Sequence, residues 1–239
     1  MKLISYIFLF ATLGFNIKAQ NFETDMKLVY DDFIQSEKVA FNISYVLREN
    51  HNLDSRIIHT NIGKYIKLKN KFISVYDTKS TLVLPSEIIM IDKEDKKIRV
   101  KKVKQKENIN PDFMTQLKSY NGYISKVVAL KTNKENVLTY NVELKSNAPF
   151  PISKYEISID TKKHYLVQMS LFYKKPLEKD EDYKITGKEI PRLDIIFSDI
   201  NNSSLFSIVE FEEAYYFLKK NSKLSPSQNF KDYDVKETL

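Results

Sequence analysis

Apolar side chains recur at every second position in long stretches of this chain, and this period of two constrains the fold more than any other feature. In the clearest stretch the apolar positions are Val39, Phe41, Ile43, Tyr45 and Leu47. In a second stretch they are Leu138, Tyr140, Val142 and Leu144. Because successive side chains of a β-strand point to opposite faces, both stretches predict strands with one buried face.

More strands are predicted along the rest of the chain. Their ranges are 56–68, 71–76, 81–84, 87–92, 97–103, 123–130, 137–145, 154–160, 165–173 and 192–199. Several are joined by very short links, which indicate antiparallel neighbours because a parallel pair needs a long crossover. The 15 tyrosines and 15 phenylalanines, against only four glycines, also favour strands over a glycine-rich nucleotide site.

Three segments have helical spacing instead. The first covers 22–35, and the second runs from Asn110, a suitable N-cap before Pro111, to Tyr120. A third is predicted from Ser207, which has capping-box spacing to Glu210, although a strand stays an alternative in this aromatic-rich segment. Residues 174–190 are predicted to form a long exposed loop, and residues 230–235 a last short strand.

These elements predict an α+β, β-rich fold. We expect a curved antiparallel sheet, or half-barrel, of roughly ten strands with two or three helices packed on its concave side. The paired Ile-Asp motifs at 91–92 and 159–160 are interpreted as two similar hairpin turns, not as a repeat of the whole fold.

The first 20 residues have the pattern of an export signal. Lys2 precedes an apolar run of 13 residues at 3–15, which is shorter than the roughly 20 residues of a membrane span. Cleavage after Ala19 would leave Gln20 first, and an uncleaved anchor is the alternative. Residues 21–239 are expected to form a single domain in the periplasm, with secretion as the second possibility.

The sequence offers little to a catalytic mechanism. It contains no cysteine, which excludes disulfides, thiolate metal sites and the lipid-bearing cysteine of a lipoprotein. The histidines at 51, 59 and 164 lack metal-site spacing, and the acid pairs at 31–32 and 212–213 are expected on polar helix faces. No phosphate-binding or nucleophile-elbow motif occurs. We therefore expect a protein that is not an enzyme and that uses no cofactor and no metal.

Basic residues concentrate between 93 and 106. One interpretation is a docking surface for an anionic membrane surface or an acidic envelope protein, formed by Lys97, Arg99, Lys101, Lys102 and Lys104. The alternative is an edge strand whose lysines discourage pairing with another sheet. Nucleic acid is not expected as a partner, because an exported protein without a stacking motif has no feature that would recognise it.

The helices are expected to cover one face of the sheet and to leave space beneath them. If that space is open it forms an apolar pocket for an acyl chain, and if side chains fill it the same pattern is a core. The predicted lining consists of Phe41, Ile43, Tyr45 and Leu47 on the first strand, facing Phe113, Met114 and Leu117 on the second helix.

The chain resembles the LolA-like family of envelope lipoprotein carriers. The resemblance covers the helix at 22–35, the strand at 39–47, the Ile-Ser-Ile-Asp turn at 157–160, and the segment Ile-Ile-Phe-Ser-Asp-Ile-Asn at 195–201. The chain departs from the family in its insertion at 174–190 and in having few glycines and no tryptophan.

This resemblance implies a curved sheet capped by helices around a cavity that holds acyl chains without a cofactor, with Arg48 in contact with the lid. It also implies a monomeric carrier or chaperone for lipid or lipoprotein acyl chains. The alternative is a non-enzymatic structural or adaptor protein of the cell envelope with a filled core.

Overall fold

The computed structural model describes residues 17–103, 117–201, 207–221 and 223–238. They form a strand-rich α+β fold with an open, curved sheet that does not close into a barrel, which confirms the predicted fold class. Among the helices of these ranges, none combines the length and the apolar character that a membrane span requires.

Twelve strands hydrogen-bond into one sheet. The strands of the chain are β1 (Lys38–Arg48), β2 (Ile57–Leu68), β3 (Lys71–Tyr76), β4 (Lys79–Val83), β5 (Glu87–Asp92), β6 (Lys97–Lys102), β7 (Ile124–Lys131), β8 (Val137–Leu144), β9 (Ile152–Asp160), β10 (Tyr165–Tyr173), β11 (Arg192–Ser198), β12 (Phe217–Lys220), β13 (Lys223–Pro226) and β14 (Asp234–Thr238). The order in the sheet is β14-β6-β5-β4-β3-β2-β1-β11-β10-β9-β8-β7, and β12 pairs only with β13.

Helices are α1 (Ile17–Gln35) and α2 (Glu213–Tyr216), with 3-10 turns at Asn121–Tyr123, Ile208–Phe211 and Gln228–Phe230. Residues 117–120 are the described end of the second predicted helix. The predicted third helix is wrong in extent, because only the four residues of α2 are α-helical before β12 begins. Ser207 makes no side-chain cap, and Ile208 is 65% exposed.

One pair of strands departs from the antiparallel pattern. Strand β14 runs parallel to β6, with Val235 opposite Ile98 and Glu237 opposite Val100. A parallel partner requires a long crossover, which the chain between β6 and β14 supplies. The interpretation of the basic stretch as an edge strand is therefore wrong, because β6 lies between β5 and β14.

The chain divides into two compact units, of which the first comprises residues 1–35, 46–60 and 111–196. Its core is built on one face of the strands, where Tyr140, Ile157, Met169 and Ile195 form a continuous buried row. Helix α1 packs against β7 and β10. The ring of Phe22 meets that of Tyr140 edge-on at 5.1 Å, and the Tyr140 hydroxyl donates a hydrogen bond to Asp25 at 2.5 Å.

The second unit comprises residues 36–45, 61–110 and 197–239. One face of its strands carries a row of fully buried aliphatic side chains, Ile66, Ile73, Leu82, Ile89 and Val100. The C-terminal segment covers this face with Phe211, Tyr216 and Phe217, all buried in the same cluster. This face is therefore a filled core.

The two Ile-Asp motifs form turns of the same design. Asp92 accepts backbone hydrogen bonds from residues 94 and 95, and Asp160 accepts them from residues 162 and 163. Four residues after each aspartate, Lys96 and His164 have positive φ angles of 51° and 50°. Non-glycine residues occupy this left-handed conformation at some energetic cost, which the aspartate bonds offset.

Candidate functional site

The second unit has an aromatic face opposite its filled core. Phe41 of β1 stacks on Tyr65 of β2 with ring centroids 5.1 Å apart, and Tyr65 stacks on Phe72 of β3 at 5.7 Å. Phe197 meets Phe41 edge-on at 5.6 Å, and Tyr45 meets Tyr76 edge-on at 5.2 Å. The alternation of each strand places these rings on the face that does not carry Ile66 and Ile73. We call this surface the aromatic face.

The strand register extends the aromatic face across the sheet. Directly paired residues of neighbouring strands point to the same side. One row on this face runs Tyr65, Ser74, Thr81, Met90 and Arg99, and the next runs Lys67, Phe72, Val83, Ile88 and Lys101. Both rows therefore reach an apolar side chain on β5 and then a cationic side chain on β6.

The predicted lining falls partly on the aromatic face. Phe41 and Ile43 lie on it and are buried, at 5% and 6% exposed, whereas Tyr45 is half-buried. Leu47 continues the alternation of β1 and is half-buried, and Leu117 is buried in the first unit. Phe113 and Met114 lie outside the described residues. That these residues line a ligand-binding site stays a prediction.

Several residues of the aromatic face were missed by the sequence reasoning. Tyr65, Phe72, Ile88 and Met90 belong to it as much as the predicted residues of β1 do. Phe72, Ile88 and Met90 are half-buried, and Tyr76 is 46% exposed. Burial raises the pKa of the Tyr65 phenol above its usual value. The alternation within β2, β3 and β5 was the available signal, but choosing between the two sides required the register.

The predicted docking residues separate onto two sides of β6. Lys97, Arg99 and Lys101 lie on the aromatic face, whereas Lys102 pairs with Glu87 in the register of the opposite side. Lys102 forms a salt bridge to Glu237 at 2.6 Å, and Lys97 one to Asp95 at 2.9 Å. Lys104 lies outside the described residues. The docking function itself stays a prediction.

A pocket of about 430 Å³ lies in the second unit beside the C-terminal segment. Its lining is Lys71, Leu84, Pro85, Ser86, Phe211, Glu212, Glu213, Ala214, Phe217, Leu218 and Lys219. Beside it, Lys219 Nζ lies 3.1 Å from buried Glu87 and 2.6 Å from Glu213. Burial raises the pKa of Glu87, and hydrogen bonding with Glu87 lowers the pKa of Glu213. These contacts tie α2 and β12 to β5, which is a structural role for the three charges.

The first unit contains a buried ion network on the side of the strands away from Tyr140. Asp194 accepts hydrogen bonds from Arg48 Nε at 3.0 Å, Arg192 Nε at 2.6 Å and Ser170 Oγ at 2.6 Å. Arg48 also donates to the carbonyl oxygen of Ser55 at 3.2 Å. Arg48 therefore has an observed structural role in this network. The contact with a lid that the family resemblance implies for Arg48 stays a prediction. The polar positions of Ser170, Arg192 and Asp194 within otherwise apolar strands were the signal for this network.

The histidines stand apart from one another. His164 contacts Asp32 at 2.9 Å, His51 contacts the carbonyl oxygen of Tyr173 at 3.2 Å, and His59 packs on Tyr183. Within the described ranges, no group of three His, Cys, Asp or Glu side chains is arranged to hold a metal ion.

No protein-family model and no curated protein matches the chain. A search of solved structures finds several that are similar to this chain. An uncharacterised conserved protein from Thermus thermophilus has 8% identity and a TM-score of 0.37, over 77% of this chain and 92% of that chain. An outer membrane lipoprotein-sorting protein domain from Vibrio parahaemolyticus has 12% identity and a TM-score of 0.31, over 80% and 97%.

A LolA superfamily protein from Nitrosomonas europaea has 7% identity and a TM-score of 0.32, over 81% of this chain and 98% of that chain. Because all three TM-scores are below 0.5, these likenesses carry no argument about this chain, and the function proposed below rests on its own residues.

Proposed function

We propose that the protein is an exported carrier or chaperone that binds the acyl chain of a lipid or lipoprotein on its aromatic face. The observation that carries the proposal is the difference between the two faces of the second unit. The C-terminal segment seals one face, where Ile66, Leu82 and Ile89 have no exposed surface. The aromatic face keeps Phe72, Ile88 and Met90 half-buried.

The chemistry of the aromatic face suits an acyl chain. Its rings and aliphatic side chains offer dispersion contacts to an acyl chain, and the polar side chains between them on β3 and β4 are the small hydroxyls of Ser74 and Thr81. Each methylene group that is removed from water contributes about 0.8 kcal/mol, so a few buried carbons suffice for measurable affinity. From β1 to β6 the face crosses five strand spacings, or roughly 24 Å along the sheet.

Native mass spectrometry of the protein from envelope extracts tests this proposal. We expect a co-purified lipid and saturable displacement of a fluorescent fatty acid. Ile88→Gln places a polar group on the aromatic face and should weaken fatty-acid binding about tenfold, whereas Leu68→Gln changes a half-buried residue of the opposite face and should not. A lipid-free protein that rejects fatty acids, or equal effects of both variants, would defeat the proposal.

A second candidate is an envelope adaptor with a filled core. The observation that favours it is the burial of Phe41 and Tyr65, which are only 5% and 3% exposed. Crosslinking in cells should then recover one defined protein partner while the purified protein carries no lipid. Lipid binding in the same preparation would decide against this candidate.

Export to the periplasm is part of the proposal and rests on the pattern of residues 1–20. N-terminal sequencing of the protein from a periplasmic extract should give Gln20 as the first residue. A first residue at Met1 would contradict cleavage and favour the uncleaved anchor.

A further inference from the structure

We propose that the bound lipid carries an anionic headgroup, and that Arg99 and Lys101 on β6 bind it. This inference rests on the proposed acyl-binding function, because it assigns the polar end of the same ligand. The occupant is an anionic phospholipid whose acyl chain lies on the aromatic face.

The register places the two cations at the end of the apolar rows. Arg99 pairs directly with Met90, and Lys101 pairs directly with Ile88. Neighbouring strands lie about 4.8 Å apart, so each cation stands one strand away from a half-buried apolar side chain. A ligand whose apolar tail lies over Met90 and Ile88 would place a negative head beside Arg99 and Lys101.

Lysines near Arg99 and Lys101 on β4, β6 and β14 form salt bridges, which distinguishes them from these two cations. Lys97 is bonded to Asp95, Lys79 lies 3.9 Å from Asp92, and Lys236 of β14 lies 2.6 Å from Asp234. In the part of the chain that the structure describes, no carboxylate lies within salt-bridge distance of Arg99 or Lys101. Both side chains are exposed. They are therefore available to a negative group of a ligand.

The spacing of the two cations suits a phosphate. Residues two apart on a strand are about 6.6 Å apart and point to the same side, so both cationic groups can converge on one anion. An arginine binds a phosphate with two parallel hydrogen bonds, and a lysine adds a point charge. Because both groups are exposed, salt should weaken their contribution.

The test compares two short-chain phospholipids below their micellar concentration that have the same acyl chains, phosphatidylglycerol and phosphatidylcholine. Isothermal titration should show that the wild-type protein binds the anionic lipid about tenfold more tightly at low salt. The Arg99→Gln/Lys101→Gln variant should lose this preference, and its affinity for phosphatidylcholine should fall less, because the choline cation already neutralises the phosphate of that headgroup.

The control variant Lys93→Gln/Lys102→Gln removes the same net charge from a turn and from the opposite side of β6, and should keep the preference. Equal wild-type affinity for the two lipids, or equal behaviour of the two variants, would overturn the inference and leave the proposed function standing. Failure to bind either lipid would overturn both. Loss of a crosslink to an acidic envelope protein, with lipid affinity unchanged, would overturn the inference in favour of a protein partner.

Discussion

Replacing Asp194 by asparagine removes the negative charge from a buried site that holds two arginines. Asp194 and Arg192 have side chains only 3% and 5% exposed, and that of Arg48 is 20% exposed. Asparagine has nearly the same size, but it cannot neutralise either guanidinium. Arg192 would then be a buried cation without a counter-charge.

The expected loss is about 3–5 kcal/mol of unfolding free energy, the usual cost of breaking a buried ion pair from one side. Arg48→Met should cost less, about 1–2 kcal/mol, because Asp194 keeps Arg192 and Ser170 as partners. The control is Asp199→Asn, whose carboxylate bonds Asn42 at an exposed position and should cost about 1 kcal/mol or less.

Urea unfolding followed by circular dichroism measures all three variants. The double variant of Arg48 and Asp194 should lose less than the sum of the single losses, because the two residues share one interaction. An Asp194→Asn protein within about 1 kcal/mol of the wild type, or no difference from Asp199→Asn, would show that the charge of Asp194 does not stabilise the fold.

Three further variants test other parts of the structure. Gly63→Ala should cost about 1–3 kcal/mol in urea unfolding, because its Cβ would lie 2.7 Å from the carbonyl oxygen of Val75, whereas Gly122→Ala, with open space around it, should be nearly neutral. Tyr140→Phe should cost about 1 kcal/mol by losing the bond to Asp25, and a neutral effect would show that this bond is not formed. Hydrogen bonds from backbone N–H groups, of which that of Thr186 has the largest effect, lower the pKa of Glu189 from its usual 4.5 to about 2. The pKa of Glu189 is lower in the folded protein than in the unfolded chain. The ionised carboxylate therefore stabilises the folded loop above pH 4.5, and this stabilisation is lost as the pH falls towards 2. In Glu189→Gln, amide exchange in residues 177–189 should lose that pH dependence, and an unchanged pH profile would contradict the assignment.

The strands were predictable because each carries its own local period. The ranges 71–76, 87–92 and 165–173 agree with β3, β5 and β10 at both ends. The turns after Asp92 and Asp160 were predictable for the same reason, since their side-chain bonds reach only two or three residues along the chain.

The C-terminal segment was predicted less well because its partners are remote in sequence. Ile208, Phe211, Tyr215 and Leu218 have helical spacing, yet Phe217 is 1% exposed and Leu218 is 52% exposed. The burial of Phe217 follows from packing against the core cluster that includes Ile66 and Ile73, which no local period reveals. The parallel pairing of β14 with β6 also joins segments that are remote in sequence, so no local pattern predicts it.

The candidate site was predictable as a set of apolar strand positions but not as a surface. The alternation of β1 identified Phe41, Ile43 and Tyr45. Only the register of β2 to β6 shows that Phe72, Ile88 and Met90 join them, and that Lys101 and Lys102 point to opposite sides. A shift of one residue in any of these strands would exchange the two faces.

Photocrosslinking tests the acyl-binding face most directly. A fatty acid with a diazirine on its chain is bound to the purified protein, irradiated, and located by peptide mass spectrometry. We expect adducts on the aromatic face, at Phe72, Tyr76, Ile88 or Met90. Adducts confined to the pocket beside Phe217 and Leu218, or no saturable adduct at all, would contradict it.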